Sequence, residues 1–239
     1  MHIGILQTGE APETLRGGGD YPDFFMRLLA GAGFSFTTWR VLDGDFPPDI
    51  DTCDGWLITG SRFGVYEGHE FIAPLEDFIR RAMAARVPVA GICFGHQVMA
   101  QALGGEVAKY PGGWAVGPTT YDFDGERIAL NAWHQDQVIT PPPSARTVAR
   151  NDFCAHAALA YDAPDGTRLG YSVQAHPEFD DEFTEALIEA RGRGLVPDAL
   201  LDEARARLGQ KLDRETIAAR LIDFFRHARM RENKEAAHG

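Results

Sequence analysis

A chain of 239 residues, 44% of them hydrophobic, is long enough for one large α/β domain whose core needs no metal or disulfide staple. Its 23 Lys and Arg against 35 Asp and Glu give a formal net charge of -12, which argues against a nucleic-acid binder, because neutralising phosphate takes clustered cations. No apolar run approaches the length of a membrane span and no basic leader precedes the first strand, so the sequence reads as a cytoplasmic protein whose partner is a small molecule or another protein.

In chain order, "HIGILQ" opens as an apolar strand and "YPDFFMRLLAGAG" reads as an amphipathic helix closing on Gly31 and Gly33. The strands "FSFTTWRVL" and "GWLITG", the helix "EFIAPLEDFIRRAMAARV" and the strand "PVAGIC" follow. Short apolar strands alternating with helices predict a three-layer α/β fold, a mostly parallel central sheet with helices on both faces, and ligands beyond the carboxyl ends of the strands. From about residue 106 to 175 the texture changes to strand-like runs ("WAVGPTTYDF", "RIALNAW", "RTVARN", "AHAALAY", "RLGYSVQ") broken by "DG", "PPPS" and "PDG", so some antiparallel pairing joins the sheet. Three C-terminal helices end the pattern: "DDEFTEALIEARGRG", "PDALLDEARARLG" and "DRETIAARLIDFFRHARM". In the third, Ile217, Leu221 and Phe225 share a face that docks on the main domain or on a second subunit of a homodimer, and the polar tail "RENKEAAHG" is expected to fray.

The stretch "VPVAGICFGHQ" bends between Gly91 and Gly95 around Cys93. A sharp strand-to-helix turn lifts a nucleophile above the sheet edge, and the helix starting near Phe94 aims free N–H groups and a positive dipole end at the sulfur. The same N–H groups, that of Phe94 above all, suit an oxyanion. In "YSVQAHPEF", His176 closes an apolar strand and Pro177 biases it toward extended backbone, so Glu178, two residues on, can hold one imidazole nitrogen while the other faces the thiol. Cys53, Cys154, His96 and His156 read as structural residues; three cysteines without a CxxC pair suggest neither a disulfide framework nor a zinc site.

"GICFGHQ" followed by "QAHPEF" resembles the class I glutamine amidotransferase family, whose elbow runs roughly G-x-C-x-G-x-Q and whose His and Glu stand as H-P-E. The resemblance covers about residues 1 to 180, places the chain as a free-standing member of the GMP-synthase-like branch, and implies a flavodoxin-like fold with a catalytic domain over 1–180 and a helical extension over 181–239 packed on it. It implies Cys93 as nucleophile, His176 as general acid/base, Glu178 as orienter, and Gln97 as a contact of bound glutamine. The family's second oxyanion donor falls on Gly60 in "LITGSRFGVYE", where Ser61 and Arg62 depart from the usual glycines; Ser61 remains a substrate-binding candidate. "NAWHQDQV" resembles a segment of the GMP-synthase-like branch beside the glutamine pocket, which adds His134 and Asp136. No cofactor is implied. The implied reaction releases ammonia from glutamine through a γ-glutamyl thioester, and either a synthase on a separate chain takes up the ammonia or there is no synthase.

Three rivals stand beside this reading. A free-standing γ-glutamyl peptide hydrolase would use the same triad. A metal hydrolase would draw ligands from His134, Asp136, His156, His176 and Glu178, although no HExxH-like pair fixes two of them on one face. A binding or regulatory module would keep the fold and leave the triad idle.

Overall fold

The computed structural model describes residues 1–236, with side chains through Ala228. Its strands are β1 (His2–Leu6), β2 (Ser35–Trp39), β3 (Gly55–Ile58), β4 (Val89–Ile92), β5 (Glu106–Lys109), β6 (Ala115–Phe123), β7 (Glu126–His134), β8 (Asp136–Thr140), β9 (Ala145–Arg150), β10 (Ala158–Asp162) and β11 (Arg168–Val173). Its α-helices are α1 (Tyr21–Leu28), α2 (Ile72–Ala84), α3 (Phe94–Ala102), α4 (Asp181–Leu187), α5 (Asp198–Arg207) and α6 (Arg214–Ala236).

Nine strands form one sheet in the order β2-β1-β3-β4-β11-β10-β9-β6-β7. The half from β2 to β11 is parallel, as alternation of short strands with helices demands, and the rest is added antiparallel through hairpins. Alternate residues of each strand serve the two faces. Ile3, Ile5, Leu57 and Ala90 meet Phe25, Leu29, Ile217, Leu221 and Phe225 on the α1/α6 side, while Trp56, Ile58 and Val89 meet Leu75, Phe78, Ile79, Val98 and Met99 on the α2/α3 side. Helices therefore cover both faces of a mixed, centrally parallel sheet.

Several boundaries move from their predicted places. The strand expected over "FSFTTWRVL" ends at Trp39, and Val41–Asp43 close a 3-10 turn instead. The helix expected over "DDEFTEALIEARGRG" stops at Leu187 and continues as a single π turn over Ile188–Gly192. The small sheet β5-β8 was not anticipated: the chain leaves the main sheet at His134 and enters the second at Asp136, pivoting on Gln135. In α6, Ile217, Leu221 and Phe225 are fully buried against the chain's own core. Helix α6 runs on to Ala236, and residues 237–239 of the tail "RENKEAAHG" lie outside those described. No described helix is long and apolar enough to cross a membrane.

Candidate functional site

Four adjacent parallel strands release their chains at one rim: β1 into Gln7 and Thr8, β3 into Thr59 and Gly60, β4 into Cys93, β11 into Gln174 through His176. The register that pairs Ile92 with Val173 brings the β4 and β11 exits side by side, and the Cys93 N–H donates to the Val173 carbonyl at 2.9 Å. Beyond β11, His176 makes a lone bridge to Asn131 of β7, its N–H donating to the Asn131 carbonyl at 2.9 Å. The histidine is thus anchored from both halves of the sheet.

Cys93 has φ 54° and ψ -104°, a left-handed conformation that L side chains rarely adopt, at the first residue before α3. The elbow exists because its neighbours lack side chains. A Cβ at Gly91 would lie 2.4 Å from the Gly95 carbonyl oxygen, and one at Gly95 would lie 2.4 Å from the Ile58 carbonyl oxygen, so α3 can sit on the sheet only where both are glycine. The cysteine residue is 5% exposed, at the floor of a cavity of about 210 Å³ that His176 also lines.

Glu178 Oε1 accepts from His176 Nδ1 at 2.7 Å, with both side chains almost wholly buried. Burial opposes charge on the imidazole, but the Glu178 carboxylate and then Cys93 outweigh it and hold the ring's pKa up, at about 10. The Phe179 ring stacks on the imidazole at 4.0 Å between centroids and 5° between planes, which fixes the ring's tilt. The other ring nitrogen, Nε2, is buried without a hydrogen-bond partner. Gln174 Nε2 donates to Cys93 Sγ at 3.7 Å. Gly60 completes the group: a Cβ there would stand 3.1 Å from His176 Cε1 and 3.6 Å from Cys93 Cβ. Cys93, His176, Glu178 and Gly60 are brought together, with Phe94 opening α3 beside the sulfur.

Ser61, Gln97, His134 and Asp136 also line the cavity. Gln97 is tied inward, its Nε2 donating to the Asp136 carbonyl at 2.9 Å and to Gln174 Oε1 at 3.1 Å, so both hydrogens of its amide are engaged within the protein. The Asp136 carboxylate accepts from the Tyr66 hydroxyl at 3.0 Å, and burial raises its pKa. His134 is fully enclosed, its pKa pushed down to about 3 by burial and by the neighbouring His176. His96, pushed down to about 3 by burial, contacts Ser172 Oγ at 2.8 Å, and His156 contacts Thr147 Oγ1 at 2.7 Å, both as structural residues. Cys53 and Cys154 are free and buried, and burial raises their thiols to about 11 and about 12. Among the described residues no three His, Cys, Asp or Glu side chains gather so as to hold a metal ion, so the ligand set His134, Asp136, His156, His176 and Glu178 does not converge.

Sequence reasoning missed Gln174, Phe179, Trp133, Tyr21 and Arg191. Gln174 and Phe179 flank His176 in "QAHPEF" and were within reach of the strand-end argument; Tyr21, Trp133 and Arg191 come from remote segments and carry no local signal.

The sequence model of "Glutamine amidotransferase class-I" matches residues 49–190, which enclose Gly60, Cys93, His176 and Glu178. The chain belongs to the class I glutamine amidotransferase family. Within it, the chain is 30% identical to gamma-glutamyl peptidase 4 of Arabidopsis thaliana, over 77% of this chain and 78% of that one. It is 32% identical to the GMP synthase [glutamine-hydrolyzing] of Thermus thermophilus over 83% of this chain, but spans only 41% of that longer protein. Its fold is shared with the glutamine amido transferase of Methylobacillus flagellatus, with a TM-score of 0.67, 24% identity, and coverage of 97% of this chain and 94% of that one.

Proposed function

We propose that this class I glutamine amidotransferase relative cleaves γ-glutamyl amides, glutamine being the simplest, with Cys93 as nucleophile. The observation that carries the reading is the His176–Glu178 pair at 2.7 Å, whose imidazole lines the cavity together with Cys93 while the Gly60 backbone stands beside both. With the imidazole held protonated well above neutrality, His176 stands ready beside the Cys93 sulfur to give a proton to the leaving amine.

Cys93 Sγ adds to the γ-carbonyl carbon, and the oxyanion settles on the N–H of Phe94 and the turn at Gly60. The C–N bond breaks as His176 Nε2 gives its proton to the leaving amine, which is ammonia when the substrate is glutamine. Water then attacks the γ-glutamyl thioester while Nε2 takes its proton back; the C–S bond breaks and glutamate leaves. Glu178 holds the ring's tautomer and charge throughout. Ser61, Asp136 and His134 line the place where the glutamyl half sits, residues 1–180 form the catalytic unit, and a synthase subunit on a separate chain would be the ammonia acceptor.

A second reading, hydrolysis of γ-glutamyl peptides without an acceptor subunit, is favoured by one feature. Leu187, Arg191 and Leu195 of the C-terminal extension line the cavity and give it apolar surface and a cation that an ammonia leaving group has no means to use.

The test is ammonia release from glutamine and glutamate release from γ-glutamyl dipeptides by the wild type and Cys93→Ala. The alanine variant should lose all measurable turnover and keep the wild-type melting temperature, since the elbow backbone does not depend on sulfur. Turnover retained by Cys93→Ala would overturn the mechanism.

A further inference from the structure

The walls of the Cys93 cavity differ in chemistry. Arg62, Glu67, Lys109 and Asp136 form a polar group with both signs of charge, joined across the β3–α2 loop and β8 by the Tyr66–Asp136 hydrogen bond of 3.0 Å. This suits the glutamyl half of a substrate, which carries an α-ammonium and an α-carboxylate. A second group is apolar. Trp114 and Trp133 meet at 6.2 Å between ring centroids and pack against Ile188 and Val196, while Leu187 and Leu195 extend the surface toward the mouth, where Leu195 is 55% exposed.

One charge stands in that apolar group: Arg191, carried into the cavity by the π turn Ile188–Gly192. Its guanidinium has five donors, and one of them, on Nη2, is held by the Glu10 carbonyl at 3.2 Å. Glu189, the acidic residue of the same turn, is engaged by Arg193 and Arg205 instead. Arg191 is therefore steadied by a neutral acceptor and makes no ion pair among the described residues, while its planar fork matches a carboxylate. Ammonia, the leaving group of glutamine, has neither apolar surface nor negative charge for this wall to meet.

We propose that Arg191 binds the carboxylate of the leaving amino acid, so that the cavity selects γ-glutamyl amides whose amine half is an apolar or aromatic α-amino acid. The proposal rests on the reading of Cys93 as nucleophile and deepens it by assigning the leaving-group side. A volume of about 210 Å³ is below the roughly 300–1,000 Å³ of pockets for drug-sized ligands, and fits a dipeptide with part of its second residue at the open mouth.

The experiment compares γ-glutamyl-phenylalanine with γ-glutamyl-phenethylamide, which keeps the ring and lacks the carboxylate, on the wild type, Arg191→Ala and Arg191→Lys. The wild type should favour the carboxylate-bearing substrate at least tenfold in kcat/KM, with the difference in KM. Arg191→Ala should bring that ratio close to one, and Arg191→Lys should restore part of it. A wild-type ratio near one, or a ratio that Arg191→Ala leaves intact, overturns the proposal whatever the variant's stability. Failure of the underlying reading looks different: neither substrate nor glutamine would be turned over, and Cys93 would not be labelled by a glutamine-like alkylating agent.

Discussion

His134 and His176 are buried beside one another, yet their proton affinities move in opposite directions. His176 faces the Glu178 carboxylate and Cys93 and is held up at about 10, whereas His134 has only the Asp136 carbonyl, at 3.3 Å from Nδ1, and is driven down to about 3. A counter-charge at bonding distance outweighs desolvation in the first case; in the second, burial and the neighbouring His176 outweigh the one carbonyl contact. Two predictions belong to this scale. Iodoacetamide should label Cys93 in the native protein at pH 7, because its sulfur lies in the cavity beside the protonated imidazole of His176. Cys53 and Cys154, with thiols raised to about 11 and about 12, should stay unlabelled in the native protein at pH 7 and be modified only after unfolding, as peptide mass spectrometry would record. Equal labelling of all three at pH 7 would contradict the assignment. The second prediction concerns acid. His96 and His134 remain neutral in the folded chain down to about pH 3 but protonate near pH 6.5 when it unfolds, so the unfolded state binds more protons and stability falls as pH drops below 6.5. Each contributes a slope of about 1.4 kcal/mol per pH unit between those limits. His176 has the opposite sign: its stabilising contribution is complete below about pH 6.5 and is lost as pH rises toward about 10. Urea midpoints from pH 7 to pH 4 should fall steeply in the wild type and less so in His96→Gln; parallel curves would refute the account.

The elements depend on small residues where backbone meets backbone. Helix α3 crosses close above β3 and β4 only because Gly91 and Gly95 present no Cβ, and both contacts are with backbone oxygens that cannot rotate away. Gly95→Ala should therefore cost roughly 1–3 kcal/mol or more in urea denaturation. Gly17→Ala, at a 3-10 turn where an added Cβ would meet nothing within 4 Å, should lie within about 0.5 kcal/mol of wild type. Similar losses at both positions would refute the packing argument. These glycines also explain why the elbow could be read from the chain: "GICFGHQ" states a local requirement, small–Cys–small at the end of an apolar run, and local requirements survive without coordinates. The H-P-E segment was legible for the same reason, because the strand end and the two-residue spacing are local. Strand β5 was not, since "EVAK" buries only Val107 fully and offers no alternation to detect. The π turn over Ile188–Gly192 was equally hidden, because "IEARG" has the composition of any helix end.

At the scale of the whole molecule, alternation of strands and helices in the first half made the parallel pairing, and the rim where ligands are expected, predictable. The antiparallel half resisted, as hairpin runs of similar length can be ordered in several ways, and no residue of "NAWHQDQV" states that the chain changes sheets at Gln135. The apolar wall of the cavity was hidden for a related reason: Tyr21, Trp114, Trp133 and Arg191 meet only after long-range folding. The bridge between Asn131 and His176 ties the outcome together, because the backbone of the histidine is gripped by β7 at the far edge of the sheet while its side chain works with groups from the parallel half. Loosening of β6 and β7 would release that grip while the parallel strands stay folded. Heat inactivation should accordingly run a few degrees ahead of the loss of far-UV circular dichroism, and coincident curves would count against it. Catalysis in this chain would then act as a built-in reporter, falling silent when one half of the sheet lets go of the other.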